Sequence, residues 1–529
     1  MPMASLINRI GAFNPQMLRE FRGRLKPRSV MAAVGLSLLF QLLVLLSAQD
    51  SRVAGPLQID LTEVVTTLSW TPPYVLFALG GYYIVDDLTQ EARTGTLNFI
   101  RLSPRPVREI LLGKLLGVPI LPMLFVLALV PLHVFSALAT GLSPLLLLSY
   151  YLVVGFGAVT VFILALLVGL GSGVSKLAQQ RGVSAIAFAG LMLIALTPIF
   201  MVWNTQFTWQ TVPTGENLFR AWEGPLEWLY LDIAYNPWFS HLFVLGNLVA
   251  VAAIAWKISV RKFRVPHSTL ISKRISYIGV AYANFVGWGF AWSTEIGSYD
   301  QVTMMWGLYF LNVALFFVLI FALAPTRQML LDWVRYRSSG QYGARRAQDK
   351  RVREWIWANG SPSVGAIAIN YVIAAALIVP SLYWFASQPP QYEFSDTTTS
   401  LGALLFATAS IFVSVLTYAT LVQVIFSRRL RAPIIWAAGS VAVLAIVPPL
   451  VLLFSSMYPD MDNVGPIWTF VGLPLLGDAR TQVPFLSLVG FVGQLCFLGF
   501  LFNRLNQNLR SLAIQQPVVE EAAFSDRVK

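Results

Sequence analysis

The sequence predicts an all-α, polytopic integral membrane protein with about 12 transmembrane helices. Three observations carry this. Of 529 residues, 56% are hydrophobic and 12% are charged, with a mean hydropathy of +0.66. A soluble domain carries about 25% charged residues. The apolar residues fall in runs of roughly 20, the length that crosses a hydrocarbon core as helix. The basic residues gather in alternate connecting segments. This composition excludes a soluble enzyme and a disordered chain. One Cys and three His exclude a disulfide framework and leave little for a metal site, so no metal is assigned.

Helix is the expectation for each run, because a lone spanning segment must satisfy its own backbone hydrogen bonds. The first set lies at 30–48, 68–85, 117–138, 144–172, 183–203 and 239–256. The second lies at 277–292, 303–325, 363–386, 401–426, 433–455 and 484–503. The run 277–292 is short and holds Asn284, Gly287 and Gly289, so a re-entrant or interfacial segment is its alternative. No cleavable leader is expected: the first run starts near residue 30, behind a basic segment.

The charges orient these spans. Segments 1–29, 86–116, 173–182, 257–276, 326–362, 427–432 and 504–529 hold 34 of the 37 Lys+Arg. The other connectors hold Arg52, Arg220 and Arg480, with 14 acidic residues. Basic loops stay inside, so both termini are expected in the cytoplasm of a multi-pass inner or plasma membrane protein. The net +12 then divides into +23 inside and −11 outside. The sequence pI near 9.8 therefore records topology, and no nucleic-acid partner is expected.

The loop plan repeats. A first half, 1–264, and a second, 265–529, each place a long basic loop after the second span (86–116 and 326–362). Each also has a short basic loop and a long external segment (204–238 and 456–483). At an offset of 258, Glu91 meets Asp349, Arg93 meets Arg351, and Ser103-Pro104 meets Ser361-Pro362. Both external segments carry Gly-Pro before an apolar residue: Gly224-Pro225 and Gly465-Pro466. Two six-helix halves keep one orientation, a parallel repeat of a kind transporters use. Chance likeness of two basic loops is the alternative.

The informative loop is 86–116. Glu91 lies just past the membrane edge. Thr94 to Arg101 can form a short surface helix, which Ser103-Pro104 breaks. Val107, Ile110, Leu111 and Leu115 then form one side of a second helix, with Arg108, Glu109 and Lys114 placed elsewhere. Such an elbow can pass motion from a partner to the spans beside it; an ordinary basic loop gripping lipid headgroups is the alternative. Ahead of the first span, Asn14-Pro15 reads as N-cap and first residue of an interface helix over 14–26. Met17, Leu18, Phe21 and Leu25 recur at helical spacing, among Arg19, Arg22 and Arg24.

In order and spacing, Glu91, Gly95-Thr96-Leu97, Ser103-Pro104 and Gly113-Lys114 resemble the ABC-2 family of ABC-transporter permeases. The likeness covers about 30 residues directly, and the second half lacks the Gly-Thr-Leu and the Gly-Lys. It implies that Glu91, Arg93, Gly95, Thr96, Leu97, Ser103, Pro104 and Lys114, with Asp349 and Arg351, couple to an ATPase. It also implies that Arg19, Phe21 and Arg22 belong to an interface helix. Trp222, Gly224, Pro225, Gly465 and Pro466 become candidates for an external gate, against a plain aromatic belt.

A phosphate-binding loop is absent: Gly113-Lys114 is followed by Leu115, with Arg108 where the first Gly should stand. The chain is therefore expected to be no enzyme and to bind no cofactor directly. ATP would sit on separate ABC ATPase subunits, with membrane lipid as the other partner. One pseudo-dimeric chain, or a homodimer, would complete the unit. Few spans carry charge, which disfavours an ion-coupled carrier and suits a lipid-like or amphipathic substrate moved outward. His133, Asn312, Asn370, Gln423 and Gln494 read as packing groups between helices. An ion-coupled secondary transporter, or a non-transporting scaffold or mechanical coupler of the same fold, remain the alternatives.

Overall fold

The computed structural model describes residues 14–49, 59–172, 183–201, 227–233, 237–290, 292, 298–338, 353–386, 401–455 and 485–514. The chain folds as two compact units, Met1–Pro266 and His267–Lys529.

The first helix described in unit 1 is the short α1 (Pro15–Arg24), followed by α2 (Pro27–Ser47). A long helical rod comes next: α3 (Leu61–Pro73), a π-helical stretch (Tyr74–Gly80) and α4 (Gly81–Thr94). The change of register follows its cause. Pro72 and Pro73 have no N–H to give to the preceding turn, and the helix widens where those bonds are missing. Two short helices, α5 (Thr96–Arg101) and α6 (Val107–Gly117), lead into α7 (Ile120–Ala139) and α8 (Pro144–Ser172). Then come α9 (Val183–Leu191), which continues through a π turn to Met201, and α10 (Pro237–Arg264). A two-residue hairpin, β1 (Glu227–Trp228) and β2 (Leu231–Asp232), precedes α10. It is the one sheet among the described residues. Its turn holds Leu229 and Tyr230 at positive φ, 50° and 63°.

Unit 2 contains α11 (Lys273–Gly289), α12 (Ser298–Ala322) and α13 (Arg327–Ser338). After a helical turn at 353–357 come α14 (Val364–Ala386), α15 (Leu401–Ser427), α16 (Pro433–Ser455) and α17 (Phe485–Ile514).

The fold is all-α. Seven helices are long and apolar enough to cross a membrane: α2, α7, α8, α9 with its π turn, α10, α15 and α17. An eighth arises if α12 and α13, bent by 66° at their junction, make one span. The other four expected runs (68–85, 277–292, 363–386 and 433–455) are helical but fall outside this set. Polar residues around Pro72-Pro73 thin out the first, and α11 has only 17 residues.

The burial pattern is that of a multi-pass membrane protein. Helix α2 buries Ser37 and Gln41 and exposes Leu36, Leu38, Leu39, Leu42, Leu43 and Leu46. In water that arrangement would be inside out; against lipid, apolar side chains need no cover and polar ones do. Ser37 Oγ donates to Phe125 O at 2.9 Å, and Gln41 Nε2 to Ala128 O at 3.1 Å, both on α7.

Other interior polar groups join helices the same way. His133 sits between Ser69 Oγ (2.9 Å) and the Tyr151 hydroxyl (2.7 Å), linking α7 to α3 and α8. In unit 2, Asn312 Nδ2 donates to Asn284 Oδ1 at 2.8 Å, and Asn370 Nδ2 to Ser276 Oγ at 3.0 Å. Gln423 Oε1 accepts from Ser363 Oγ at 3.0 Å, and Gln494 bonds to Ser414. Packing follows one plan inside each unit. In unit 1, α2 lies on α7 and α8 on α10; in unit 2, α11 lies on α14 and α15 on α17.

Candidate functional site

The site is built where α1 docks on α6. Asn14 starts it. Its Oδ1 accepts from Gln16 N and Met17 N at 3.0 and 3.1 Å, and Pro15 fills the first helical position. Its Nδ2 donates to Glu109 O at 2.8 Å. One residue thus caps α1 and pins it to α6. The two helices can close because glycines face the seam. A Cβ on Gly113 would stand 2.8 Å from Met17 N, and one on Gly117 would stand 2.6 Å from Glu20 Cβ.

Six charges meet over this seam. Lys114 Nζ lies 2.7 Å from Asp87 Oδ2, 2.8 Å from Glu91 Oε2 and 3.6 Å from Glu20 Oε1. Arg24 Nη2 donates to Asp87 Oδ1 at 2.7 Å, and its Nε is 3.5 Å from Glu20 Oε2. Arg19 Nη2 lies 3.6 Å from Glu91 Oε1. Three cations face three carboxylates, so the group is neutral as a whole. It joins three elements: α1 gives Arg19, Glu20 and Arg24, α4 gives Asp87 and Glu91, and α6 gives Lys114.

Burial sets its electrostatics. The Lys114 side chain is 0% exposed. Desolvation alone pulls its ammonium down. Asp87, Glu91 and Glu20, helped by the Asp87 hydrogen bond, outweigh that and leave its pKa above the usual lysine value. Glu91 is pushed above the usual carboxylate value, first by burial and then by Asp87 and Glu20, against the pull of Lys114. Oxygens of Glu20, Asp87 and Glu91 gather within 4.8 Å of one another, a spacing that suits a hard divalent cation. The Lys114 ammonium lies against all three and supplies the positive charge there.

The elbow itself turns at Gly95, whose φ of 79° is left-handed and ends α4. Thr94 Oγ1 donates to Gln90 O at 3.0 Å, and Thr96 Oγ1 to Glu91 O at 3.3 Å. Helix α5 then buries Leu97 and Ile100, while Phe99 is 79% and Leu102 84% exposed. The Arg101 guanidinium stands 5.4 Å over the Phe263 ring and ties α5 to α10. Ser103-Pro104 falls in the non-helical break between α5 and α6.

Among the expected site residues, the structure brings Arg19, Glu91 and Lys114 together. Arg22 and Arg93 lie exposed, Phe21 half-buried, and Gly95 and Thr96 exposed at the turn. The sequence pattern puts Lys114 off the apolar face with Arg108 and Glu109. It stands instead on the buried side, three and four residues after Leu111 and Ile110. Asp349, Arg351, Trp222, Gly224, Pro225, Gly465 and Pro466 lie outside the described residues. Sequence reasoning missed Glu20, Arg24 and Asp87, and the exposed pair Phe99 and Leu102. Glu20 carried a signal: it is the one acidic residue in the basic segment 1–29.

No family model, curated protein or solved structure matches the chain.

Proposed function

We propose that the chain is the permease subunit of an ATP-driven ABC exporter, moving a lipid-like or amphipathic substrate with energy from separate ATPase subunits. One observation carries this reading. The six-charge group, centred on the buried Lys114, Glu20 and Glu91, locks α1, α4 and α6 into one body, and that body holds α5 with Phe99 and Leu102 uncovered at its tip. Two large apolar side chains on a short, charged-loop helix mark a surface that a partner covers. A rigid lever with an apolar tip can transmit a push from such a partner into α4 and, through α6, into α7. The tip fits an apolar groove on a nucleotide-binding subunit.

The finer topology belongs to the same proposal: twelve spans, both termini cytoplasmic, in two tandem ABC-2-like halves. The like packing plans of the two units support it.

Purification of the intact complex from native membranes in mild detergent tests the reading. An ATPase subunit should accompany the chain, and reconstituted vesicles should move an amphipathic probe only with ATP. Recovery of the chain alone, or transport driven by an ion gradient without ATP, overturns it.

A further inference from the structure

Unit 1 holds a second cluster of charge, in which cations gather with one another. Helix α10 is one of the seven apolar enough to cross a membrane, and its Lys and Arg stand only toward its end: Lys257, Arg261, Lys262 and Arg264. The basic end of a span lies at the height of the lipid headgroups. There the Arg101 guanidinium, at the end of α5, stands 5.4 Å over the ring of buried Phe263. The neighbouring Lys262 is also buried and donates from Nζ to Pro266 O at 2.7 Å. Arg101 and Arg261, both half-buried, stand close enough to repel its ammonium. Three cations thus meet in the corner between α5 and α10.

Neither helix supplies an acid to this corner. No Asp or Glu occurs between Glu91 and Glu109, and none between Asp232 and Glu295. Arg101 has donors to spare. Its Nη1 donates to Asn98 Oδ1 at 3.0 Å, its Nε has no hydrogen-bond partner, and no carboxylate among the described residues pairs with it. Like charges in a half-dry corner are costly unless an anion joins them. A phosphate brings negative charge and several acceptor oxygens, which guanidinium groups match with parallel N–H donors. Two features make a lipid its bearer. The corner lies at the end of a span, where headgroups already stand. Val249 and Val251 are exposed along α10, and Val265 is exposed just past it, an apolar flank on which acyl chains can rest.

We propose that the corner between α5 and α10 holds the phosphate headgroup of an anionic lipid, with Arg101 and Arg261 at the phosphate and Lys262 adding its charge from within. The lipid completes the link between the elbow and α10 that Arg101 begins on the Phe263 ring. This inference is independent of the permease reading.

Titration of the delipidated full chain in a neutral detergent tests it, with fluorescent phosphatidylglycerol and, in parallel, fluorescent phosphatidylcholine. The wild type should bind phosphatidylglycerol on the order of tenfold more tightly. Arg101→Gln together with Arg261→Gln should remove most of that preference. Arg428→Gln with Arg429→Gln, a charge-matched change at exposed positions of unit 2, should keep it. Equal affinity for the two lipids in the wild type overturns the proposal, and that arm needs no variant to fold. An equal loss of preference in the unit 2 variant overturns it as well, because it shows general attraction to basic surface. Displacement of the lipid by inorganic phosphate would make the corner a free-phosphate site and overturn the lipid as occupant.

Discussion

Lys114 Nζ stands 2.8 Å from Glu91 Oε2, and none of the lysine side chain reaches solvent. Glu91 is itself only 8% exposed and acts inside the protein. The family likeness implies that both residues lie at an ATPase contact. In the docking proposed above, their geometry makes them the bolt behind that contact, with Phe99 and Leu102 as its face.

The two partners should differ in cost. Lys114→Met leaves Glu20, Asp87 and Glu91 facing one another without the ammonium, and should destabilise unit 1 by about 3–5 kcal/mol. Glu91→Gln keeps the shape and removes a charge that burial already disfavours, so about 1 kcal/mol is expected. Thermal unfolding of the purified variants in one detergent gives the ranking. Equal losses would remove Lys114 from the centre of the group.

Gly113→Ala should separate α1 from α6. Its Cβ would press on Met17 N, a backbone atom that cannot swing aside. The expected cost is about 1–3 kcal/mol, read as faster protease cleavage between α1 and α2. Gly117→Ala meets Glu20 Cβ, an atom fixed to the α1 backbone, and should cost about as much. Identical cleavage in wild type and Gly113→Ala would show that the seam is looser than described.

Replacing Phe99 and Leu102 together by Ser should leave folding intact, since both side chains are mostly exposed. Recovery of the ATPase subunit should fall at least tenfold. Leu97→Ser, which places a hydroxyl in the core, should instead lower the melting temperature. Unchanged ATPase recovery in the double variant would move the docking surface elsewhere.

The Lys114 seam should be insensitive to mildly alkaline pH. Lys114 has a raised pKa in the fold, so its contribution is complete below about 10.4 and is lost only as pH rises through the folded value. Amide protection of α1 and α6 should therefore stay level from pH 7 to 9.5. Hydrogen exchange of the full chain in lipid nanodiscs, read over unit 1 peptides and divided by the intrinsic rate at each pH, checks this.

Much of the fold was legible because lipid leaves a plain mark on sequence. Apolar runs such as 144–172 and 183–203 became helices over nearly those residues. The cap at Asn14-Pro15 and the break at Ser103-Pro104 were readable because they rest on local backbone chemistry. The six-charge group was not. Its members come from three stretches of chain, and pairing across such distances leaves no periodic signal. Lys114 misled for a related reason. A lysine in a basic loop is normally solvated, and only its spacing from Ile110 and Leu111 placed it inward. The run at 277–292 yields a helix that starts four residues early, at Lys273, and stops at Gly289. Its start is set by the Ser272 cap and by buried Lys273, whose Nζ donates to Trp355 O at 2.7 Å and Ser361 Oγ at 2.6 Å, which apolarity alone does not reveal.

The bond from Asn14 to Glu109 crosses 95 residues, and the pairing of Glu20 with Lys114 reaches as far. Helix α1 is made before α4 and α6, and its seat is incomplete until residue 117 has left the ribosome. Until Asp87 and Glu91 follow, Glu20 and Arg24 have only each other and water. Docking of α1 on α6 is thus a late event in the making of unit 1. It marks the moment when the elbow has been completed and the first part of the chain can be counted as assembled.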